Sequence, residues 1–284
     1  MMKKWQLFTL IIMMFILGIV YIIREGSTPA VSFFPIDADS SIEQAATKLT
    51  LTSEEGQNIY EVDWESSSTS DKSMYLRQDV SLLFDNGRLR GVRSKWVQNS
   101  SRIKIMEKLT SEDSSHFQSI SFHHGENHDK SDEIKSVQLM SYDELYVIDS
   151  PTTPIASFKL PASPYETEWK ELLDRTSRQQ LLFHWHQLLR HFEINISNYT
   201  SIPLVDLHKY NNKPLSNIPM EESVNIIGRL WEGLYKNYII PAADPPQDRL
   251  DSYIPLILLD KKNTHLLVLF ELNGKKEKLI QRIP

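Results

Sequence analysis

The pattern of apolar and polar positions starts with one unbroken apolar run from Trp5 to Ile23. Its nineteen residues, rising about 1.5 Å each in a helix, would extend roughly 28 Å, close to the hydrocarbon thickness of a bilayer. Two lysines at positions 3 and 4 precede the run, whereas Arg24 and Glu25 nearly cancel after it. Because basic residues stay on the cytoplasmic side, residues 1–25 are predicted to form a short cytoplasmic tail and a signal anchor in the cell membrane, with the C-terminal domain extracytoplasmic.

A cleaved signal peptide is the main alternative for this segment. Signal peptides carry an apolar stretch of only about 7–15 residues before a small-residue cleavage site. The run here is longer, and Thr28-Pro29-Ala30 is a poor match to such a site. The anchor is therefore favoured, with the bilayer contacted through residues 5–23. The tail before it is too short to bind a ligand, which makes another membrane or envelope protein the expected partner.

Residues 26–40 contain two prolines and are expected to be a spacer. Ser40-Ser41-Ile42-Glu43 then has the form of a capping box, and apolar residues recur at helical spacing as far as Leu49. This pattern predicts a short helix near 41–49.

From about residue 50 to 150, apolar residues alternate with polar ones, as they do in half-buried strands. Asn86-Gly87 separates two such runs and predicts a hairpin turn, because a tight turn requires positive φ. Sequential strands joined by polar loops predict an antiparallel meander with one buried face. Residues 41–150 are therefore assigned to a β-rich extracytoplasmic lobe. The other strand candidates lie at 59–64, 102–106, 117–123, 134–141 and 145–148.

A proline-rich connector is expected over 151–163, followed by a second extracytoplasmic lobe over 164–284. Ser163-Pro164-Tyr165-Glu166 supplies an N-cap, a proline at the first helical position and an early glutamate, which predicts a helix to about residue 192. A second helix is predicted near 220–238. Three strands follow at 253–259, 265–272 and 278–283, with a hairpin turn at Asn273-Gly274.

The fold class predicted from these elements is α+β. It consists of an N-terminal transmembrane helix, an antiparallel β-meander, two helices and a C-terminal three-stranded antiparallel sheet. The number of glycines, nine in 284 residues, argues against a doubly wound nucleotide-binding fold, which uses glycine in its phosphate turns.

Composition excludes several classes of function. The formal net charge is −6 and basic residues are not clustered, so no nucleic acid is expected as a partner. The chain has no cysteine, which excludes disulfide scaffolds, thiolate zinc sites and cysteine nucleophiles. An exported domain without cysteine is typical of Gram-positive bacteria.

The segment from His123 to Asp129, HHGENHD, has the highest density of possible metal ligands. Imidazoles and carboxylates bind Zn²⁺ and other divalent ions. However, the segment does not match H-E-x-x-H, and it is expected to form a polar hairpin loop. A solvated loop is therefore favoured over a metal site. The candidate ligands are His123, His124, Glu126, His128 and Asp129.

No other motif in the sequence indicates catalysis. Ser101-Arg102-Ile103-Lys104 matches the S-x-x-K pattern of serine acylases, but it lies in a strand-like run and the companion motifs of those enzymes are absent. The sequence also lacks G-x-S-x-G, a P-loop and G-x-G-x-x-G. We therefore predict no catalytic residue and no cofactor.

Three hypotheses for the function follow from these patterns. The favoured one is a single-pass, membrane-anchored extracytoplasmic protein that acts as a binding or regulatory module through protein–protein contacts at the bacterial cell envelope. The second is an exported metal-dependent enzyme that uses the segment His123–Asp129. The third is a structural component of the envelope or of sporulation.

Overall fold

Long strands dominate the structure. The computed structural model describes residues 34–52, 59–128, 133–151, 153–243 and 251–283. Strands account for 54% and helices for 27% of it, so the fold is mostly β and the predicted α+β class is wrong. Residues Phe33–Pro284 form one compact unit.

The larger of two sheets has six antiparallel strands. Its strands follow the order β1-β2-β4-β5-β6, and β3 pairs with β2. The strands are β1 (Ile42–Thr52), β2 (Tyr60–Asp85), β3 (Arg88–Ser111), β4 (Ser115–His128), β5 (Ile134–Ser150) and β6 (Thr153–Phe158).

The long strand β2 bends the sheet over on itself. One of its edges pairs with β3, while its other neighbour is β1 over residues 61–70 and β4 over residues 76–85. A register shift between Thr69 and Met74 separates the two halves. Trp64, in the first half, donates its indole N–H to the hydroxyl of Ser81 in the second half (3.0 Å). The sheet therefore curves until it is nearly closed, with an inner face shared by both halves.

The near-closure leaves a seam between β1 and β5, which no ladder joins in the described part of the sheet. Side chains connect the two strands at the seam. The backbone N–H of Leu49 in β1 donates to the Asp143 carboxylate in β5 (2.7 Å), and Lys159 also bonds this carboxylate. The hydroxyls of Thr47 and Ser141 lie 2.6 Å apart across the same seam.

An apolar core fills one end of the inner face. It forms because β1, β2, β4 and β5 each present an alternating apolar residue to the same space. Its buried members are Leu49, Tyr60, Val62, Trp64, Leu83, Phe117, Leu145 and Val147.

The C-terminal part contains helices and a second, four-stranded sheet with the order β10-β9-β8-β7. It also contains two 3-10 helices, at Ile196–Asn198 and Leu204–Tyr210, and a π-helix at Tyr235–Ile239. The other elements are α1 (Pro164–His191), α2 (Met220–Leu234), α3 (Ile240–Ala243), β7 (Tyr199–Pro203), β8 (Leu256–Asp260), β9 (His265–Leu272) and β10 (Lys275–Arg282).

The helices of this part cover the outer face of the larger sheet. The Trp231 ring of α2 stacks on Phe122 of β4, with ring centroids 4.9 Å apart. Its indole N–H donates to the Met140 sulfur of β5 (3.3 Å). The amide of Gln138 in β5 donates to the carbonyl of Val224 in α2 (2.7 Å). Stacking and hydrogen bonds thus attach α2 to the middle of the larger sheet.

Three predictions that depended on local signals are confirmed, the Ser163 cap and the two Asn-Gly turns. Ser163 caps α1 and accepts a hydrogen bond from the backbone N–H of Glu166 (3.2 Å). Both Asn-Gly turns have positive φ at their two central residues, 49° and 82° at Asn86-Gly87 and 53° and 75° at Asn273-Gly274. Local sequence is sufficient at these places, because the cap bonds a backbone N–H three residues away and Asn-Gly readily adopts the positive φ angles of a tight turn.

Other element predictions are wrong. The helix predicted near 41–49 is absent, because Ile42–Thr52 form strand β1, whose pairing with β2 outweighs the capping-box signal. The C-terminal sheet has four strands and not three, because β7, more than fifty residues upstream, pairs with β8.

The structure also contradicts the predicted membrane topology. Across the described ranges of the chain, no helix is long and apolar enough to cross a membrane. This finding overturns the prediction of a single-pass protein with a signal anchor at the cell membrane. The segment 5–23, on which that prediction was based, lies outside the described residues.

Candidate functional site

A row of buried polar side chains runs across the inner face of the larger sheet. Strand register creates it, because Asp79 of β2 lies directly opposite His123 of β4, and Ser121 of β4 lies opposite Ser141 of β5. Period-two alternation then sends Asp79, His123 and Ser141 to the same face. Buried polar groups require hydrogen-bond partners, and the side chains of this row bond one another.

Asp79, His123 and Ser141 form a hydrogen-bonded relay. The Nδ1 atom of His123 lies 2.7 Å from Oδ2 of Asp79, and its Nε2 atom lies 2.7 Å from Oγ of Ser141. Asp79 and His123 are both 0% exposed, whereas Ser141 at the seam is half-buried. The arrangement is a hydroxyl, an imidazole and a carboxylate in the order that activates serine nucleophiles.

The guanidinium of Arg77 lies on the far side of Asp79. It bonds Ser68, whose hydroxyl donates to both carboxylate oxygens of Asp79 (2.8 and 3.0 Å), and the two charged groups approach to 3.9 Å. Arg77 also donates to Ser70 (2.9 Å). Burial lowers the pKa of Arg77, and the charge of Asp79 opposes that shift. The buried arginine is therefore the positively charged neighbour of the Asp79 carboxyl group.

A chain of hydroxyls continues from the relay toward Trp64. Thr47 bonds Ser141 (2.6 Å) and donates to Ser121 (2.7 Å), and Ser121 bonds Ser81 (2.7 Å). Each hydroxyl in this chain carries a single proton but contacts at least two partners. The proton of Ser141 consequently has two possible acceptors, Thr47 and His123.

The candidate metal ligands are in strand β4 and not in a loop, and alternation separates them. His123 points to the inner face, whereas His124 and Glu126 have the opposite parity and lie on the outer face. Nε2 of His128 lies 3.8 Å from Oε2 of Glu126. Among the described residues, no group of three or more histidines and carboxylates could hold a metal ion. Asp129 lies outside the described residues, so the metal site stays a prediction.

His124 is buried in the outer face without a polar partner. No described group hydrogen-bonds either nitrogen of its ring, which is stacked near Phe122. Burial, reinforced by the charge of Arg77, lowers the pKa of His124 to about 4. Its protonated form therefore belongs mainly to the unfolded chain.

The buried His124 predicts acid sensitivity. His124 binds a proton below about pH 6.5 in the unfolded chain but only near pH 4 in the folded chain. Its neutral form therefore costs the folded state nothing above pH 6.5, and the free energy of unfolding decreases as the pH falls from 6.5 toward 4. The expected loss is about 1.4 kcal/mol for each pH unit in this window. His124→Phe should remove this component, measured by urea unfolding between pH 7 and 4.5.

The exposed His186 of α1 provides the matched control, because His186→Gln removes a surface histidine and should retain the acid sensitivity that the buried His124 causes. Burial raises the pKa of Glu126 to about 7, which gives a slope of opposite sign in the wild-type chain. The difference between His124→Phe and wild type isolates the histidine. Parallel pH profiles for these two proteins would contradict the prediction.

A separate groove of about 400 Å³ lies beside β10, an edge strand of the four-stranded sheet. This volume is within the range of small-ligand and side-chain pockets. Ile280 of β10 is 61% exposed next to it. The apolar residues that line the groove are Leu230 of α2, Leu266 and Val268 of β9, and Leu279 and Ile280 of β10.

The charged lining of this groove is mainly basic. Arg229, Lys236 and Lys278 line it together with one acidic residue, Glu232, which gives a net charge of +2 from three cations and one anion. Glu232 bonds Lys236 (2.5 Å), and the ammonium of Lys278 lies 5.1 Å from the centre of the Phe192 ring. The groove thus combines an apolar floor with a basic rim.

Sequence reasoning named His123 only as a candidate metal ligand, with a solvated loop favoured, and it missed Asp79 and Ser141. Their separation along the chain hides the relay, because only the β2–β4 and β4–β5 registers bring them together. The groove beside β10 was missed for a similar reason, since its two walls come from α2 and from β9–β10. The alternation in β10, with exposed Ile280 among charged residues, was the one available signal.

Comparisons with known proteins name no family or function. No protein-family model matches the sequence, and no curated protein matches it. A protein of Arabidopsis thaliana, solved in solution, is similar over 44% of this chain and 93% of its own, at 10% identity and a TM-score of 0.26. A likeness this weak supports no argument about fold or function.

Proposed function

We propose that the chain is a binding module that binds an extended acidic segment of a partner protein as an added strand along the edge of β10. The observation that carries the proposal is the position of Ile280, 61% exposed on an edge strand beside an apolar groove with a basic rim. Within the described strands, β10 pairs only with β9. Its other edge can therefore accept backbone hydrogen bonds from an added strand.

Specificity would come from alternating side chains of the bound segment. In a strand, every second residue points to the same face, so apolar residues of the partner would enter the groove beside Leu279, and the residues between them would lie on the side of Ile280. Acidic residues beside them would lie near the cations of the rim. Complementary charge of this kind selects partners and accelerates association.

The charges of β10 also have a structural explanation. Lysines on an edge strand discourage unwanted pairing between sheets, and β10 carries three of them, Lys275, Lys276 and Lys278. That explanation predicts that no added strand binds. It therefore provides the opposite outcome of the same experiment.

The test is fluorescence anisotropy of the whole chain with a labelled eight-residue peptide that alternates Val and Glu. We expect saturable binding, and a much weaker signal when Lys replaces Glu in the peptide. Ile280→Glu should weaken binding about tenfold or more, a loss of about 1.4 kcal/mol or above, because a carboxylate would then face the acidic peptide.

Met106 offers a matched control on another edge strand. It is 66% exposed on β3, so Met106→Glu introduces the same charge at a similar exposure without touching the groove. Binding should be unchanged in this variant. Equal weakening by the two substitutions, or equal binding of the Val-Glu and Val-Lys peptides, would refute the proposal.

A further inference from the structure

We infer that Ser141 is an activated nucleophile that reacts with small acyl esters, with His123 as its general base. The geometry is independent of the β10 groove. It consists of two contacts of 2.7 Å, from Ser141 to His123 and from His123 to Asp79. A nucleophile that is hydrogen-bonded to a base, with the base oriented by a carboxylate, is the pattern that identifies such sites.

The hydrogen-bond partners fix the protonation of the imidazole. Asp79 faces the guanidinium of Arg77 and, as a carboxylate, can only accept. In the neutral tautomer that can act as a base, the proton of His123 therefore lies on Nδ1, which donates to Asp79. Nε2 is then left with a lone pair directed at the Ser141 hydroxyl, so the imidazole is ready to accept a proton.

Thr47 competes with His123 for the proton of Ser141. Its hydroxyl already donates to Ser121, so its contact with Ser141 requires Ser141 to be the donor. While that bond exists, the serine proton points away from the base. Thr47 is therefore a positioning residue that restrains the nucleophile, and its removal should release Ser141 toward His123.

The reaction is an acyl transfer to the serine. Oγ of Ser141 forms a bond to the carbonyl carbon as the bond from that carbon to the alcohol oxygen breaks. The serine proton passes to Nε2 of His123 and then to the departing alkoxide, which leaves as the alcohol. Water attacking the acyl-serine by the same route restores the hydroxyl and releases the carboxylic acid.

Burial limits the size of the acyl group. His123 and Asp79 are 0% exposed, and only Ser141 of the three reaches the seam between β1 and β5. Leu49 and Asp143 bridge the same seam close by. Acetyl and similarly short acyl groups therefore fit the inference, whereas long-chain esters do not.

The test uses the whole chain and p-nitrophenyl acetate. Released p-nitrophenol gives the rate, and peptide mass spectrometry locates the acetyl group. We expect acetylation of Ser141, loss of that adduct in Ser141→Ala, and unchanged acetylation of surface lysines in the same variant. Thr47→Val should increase the rate of Ser141 acetylation several-fold, an effect that a purely structural hydroxyl would not produce.

Ser119→Ala is the matched control, because Ser119 is 0% exposed on the same face of β4 and lies 3.4 Å from Ser81, separated from Thr47 by the hydroxyls of Ser81 and Ser121. It should keep the Ser141 adduct at the wild-type rate, and melting temperatures should show that all variants are folded. Absence of an adduct at Ser141 in both wild type and Thr47→Val would overturn the inference and identify the relay as a structural network. A slower reaction in folded Thr47→Val would overturn the role assigned to Thr47.

Discussion

Asp79→Ala is expected to lower the free energy of unfolding by about 3–5 kcal/mol, because it leaves the guanidinium of Arg77 buried without its counter-charge. Arg77 and Asp79 are both 0% exposed, and Ser68 links them through hydrogen bonds. The substitution also removes the hydrogen-bond partner of His123 Nδ1. Urea unfolding followed by circular dichroism measures the loss.

A double variant separates the buried charge from the space that Asp79 occupies. Arg77→Met combined with Asp79→Leu removes both charges, and this pair should recover most of the stability lost in Asp79→Ala. The partly exposed pair Lys236–Glu232 is the matched control, since Glu232→Ala should cost less than about 1 kcal/mol. A loss as small as this in Asp79→Ala would show that water reaches the relay.

Trp231→Ala is expected to destabilise the protein by about 3–5 kcal/mol, as large-to-small changes in a core do. Trp231 is 1% exposed, stacks on Phe122 and donates to the sulfur of Met140. Its removal leaves a cavity where α2 meets the outer face of the larger sheet. The shift in the urea midpoint at constant slope gives the loss.

Trp96 provides the comparison for this prediction. Trp96 is a tryptophan of the larger sheet itself, on β3, where 48% of its surface is exposed. Trp96→Ala should therefore change stability by no more than about 0.5 kcal/mol. Similar losses in the two variants would mean that α2 is not anchored through Trp231.

Local chemistry made part of this fold predictable from the sequence. The Ser163 cap and the two Asn-Gly turns depend on residues within a few positions of one another, and all three are as predicted. The alternation from residue 50 to 150 predicted antiparallel strands, and the strands are present. It could not predict that the strand candidate at 59–64 and the alternating run before Asn86-Gly87 are one bent strand, because the bend depends on β1 and β4 both pairing with β2.

Long-range pairing explains what the sequence did not predict. The apolar spacing around Ala45 and Leu49 suits a helix or a strand, and contact with β2 decides between them. Asp79 and Ser141 are separated by 62 positions, and two ladders bring them to the same imidazole. His123 stood out in the sequence because of its polar neighbours, yet alternation directs it away from His124 and toward residues that no motif connects to it.

The pairing of β7 with β8 has a consequence for biosynthesis. Pro203, the last residue of β7, cannot pair until Leu256 of β8, 53 positions later, has been synthesised. At a ribosomal rate of about 5–20 residues per second, that wait is roughly 3–10 s. The hairpin of β2 and β3 needs no such delay, because its partners adjoin at Asn86-Gly87. The larger sheet can therefore assemble on the ribosome while the outer face around Phe122 is still uncovered, and a nascent-chain chaperone would protect this face until α2 emerges.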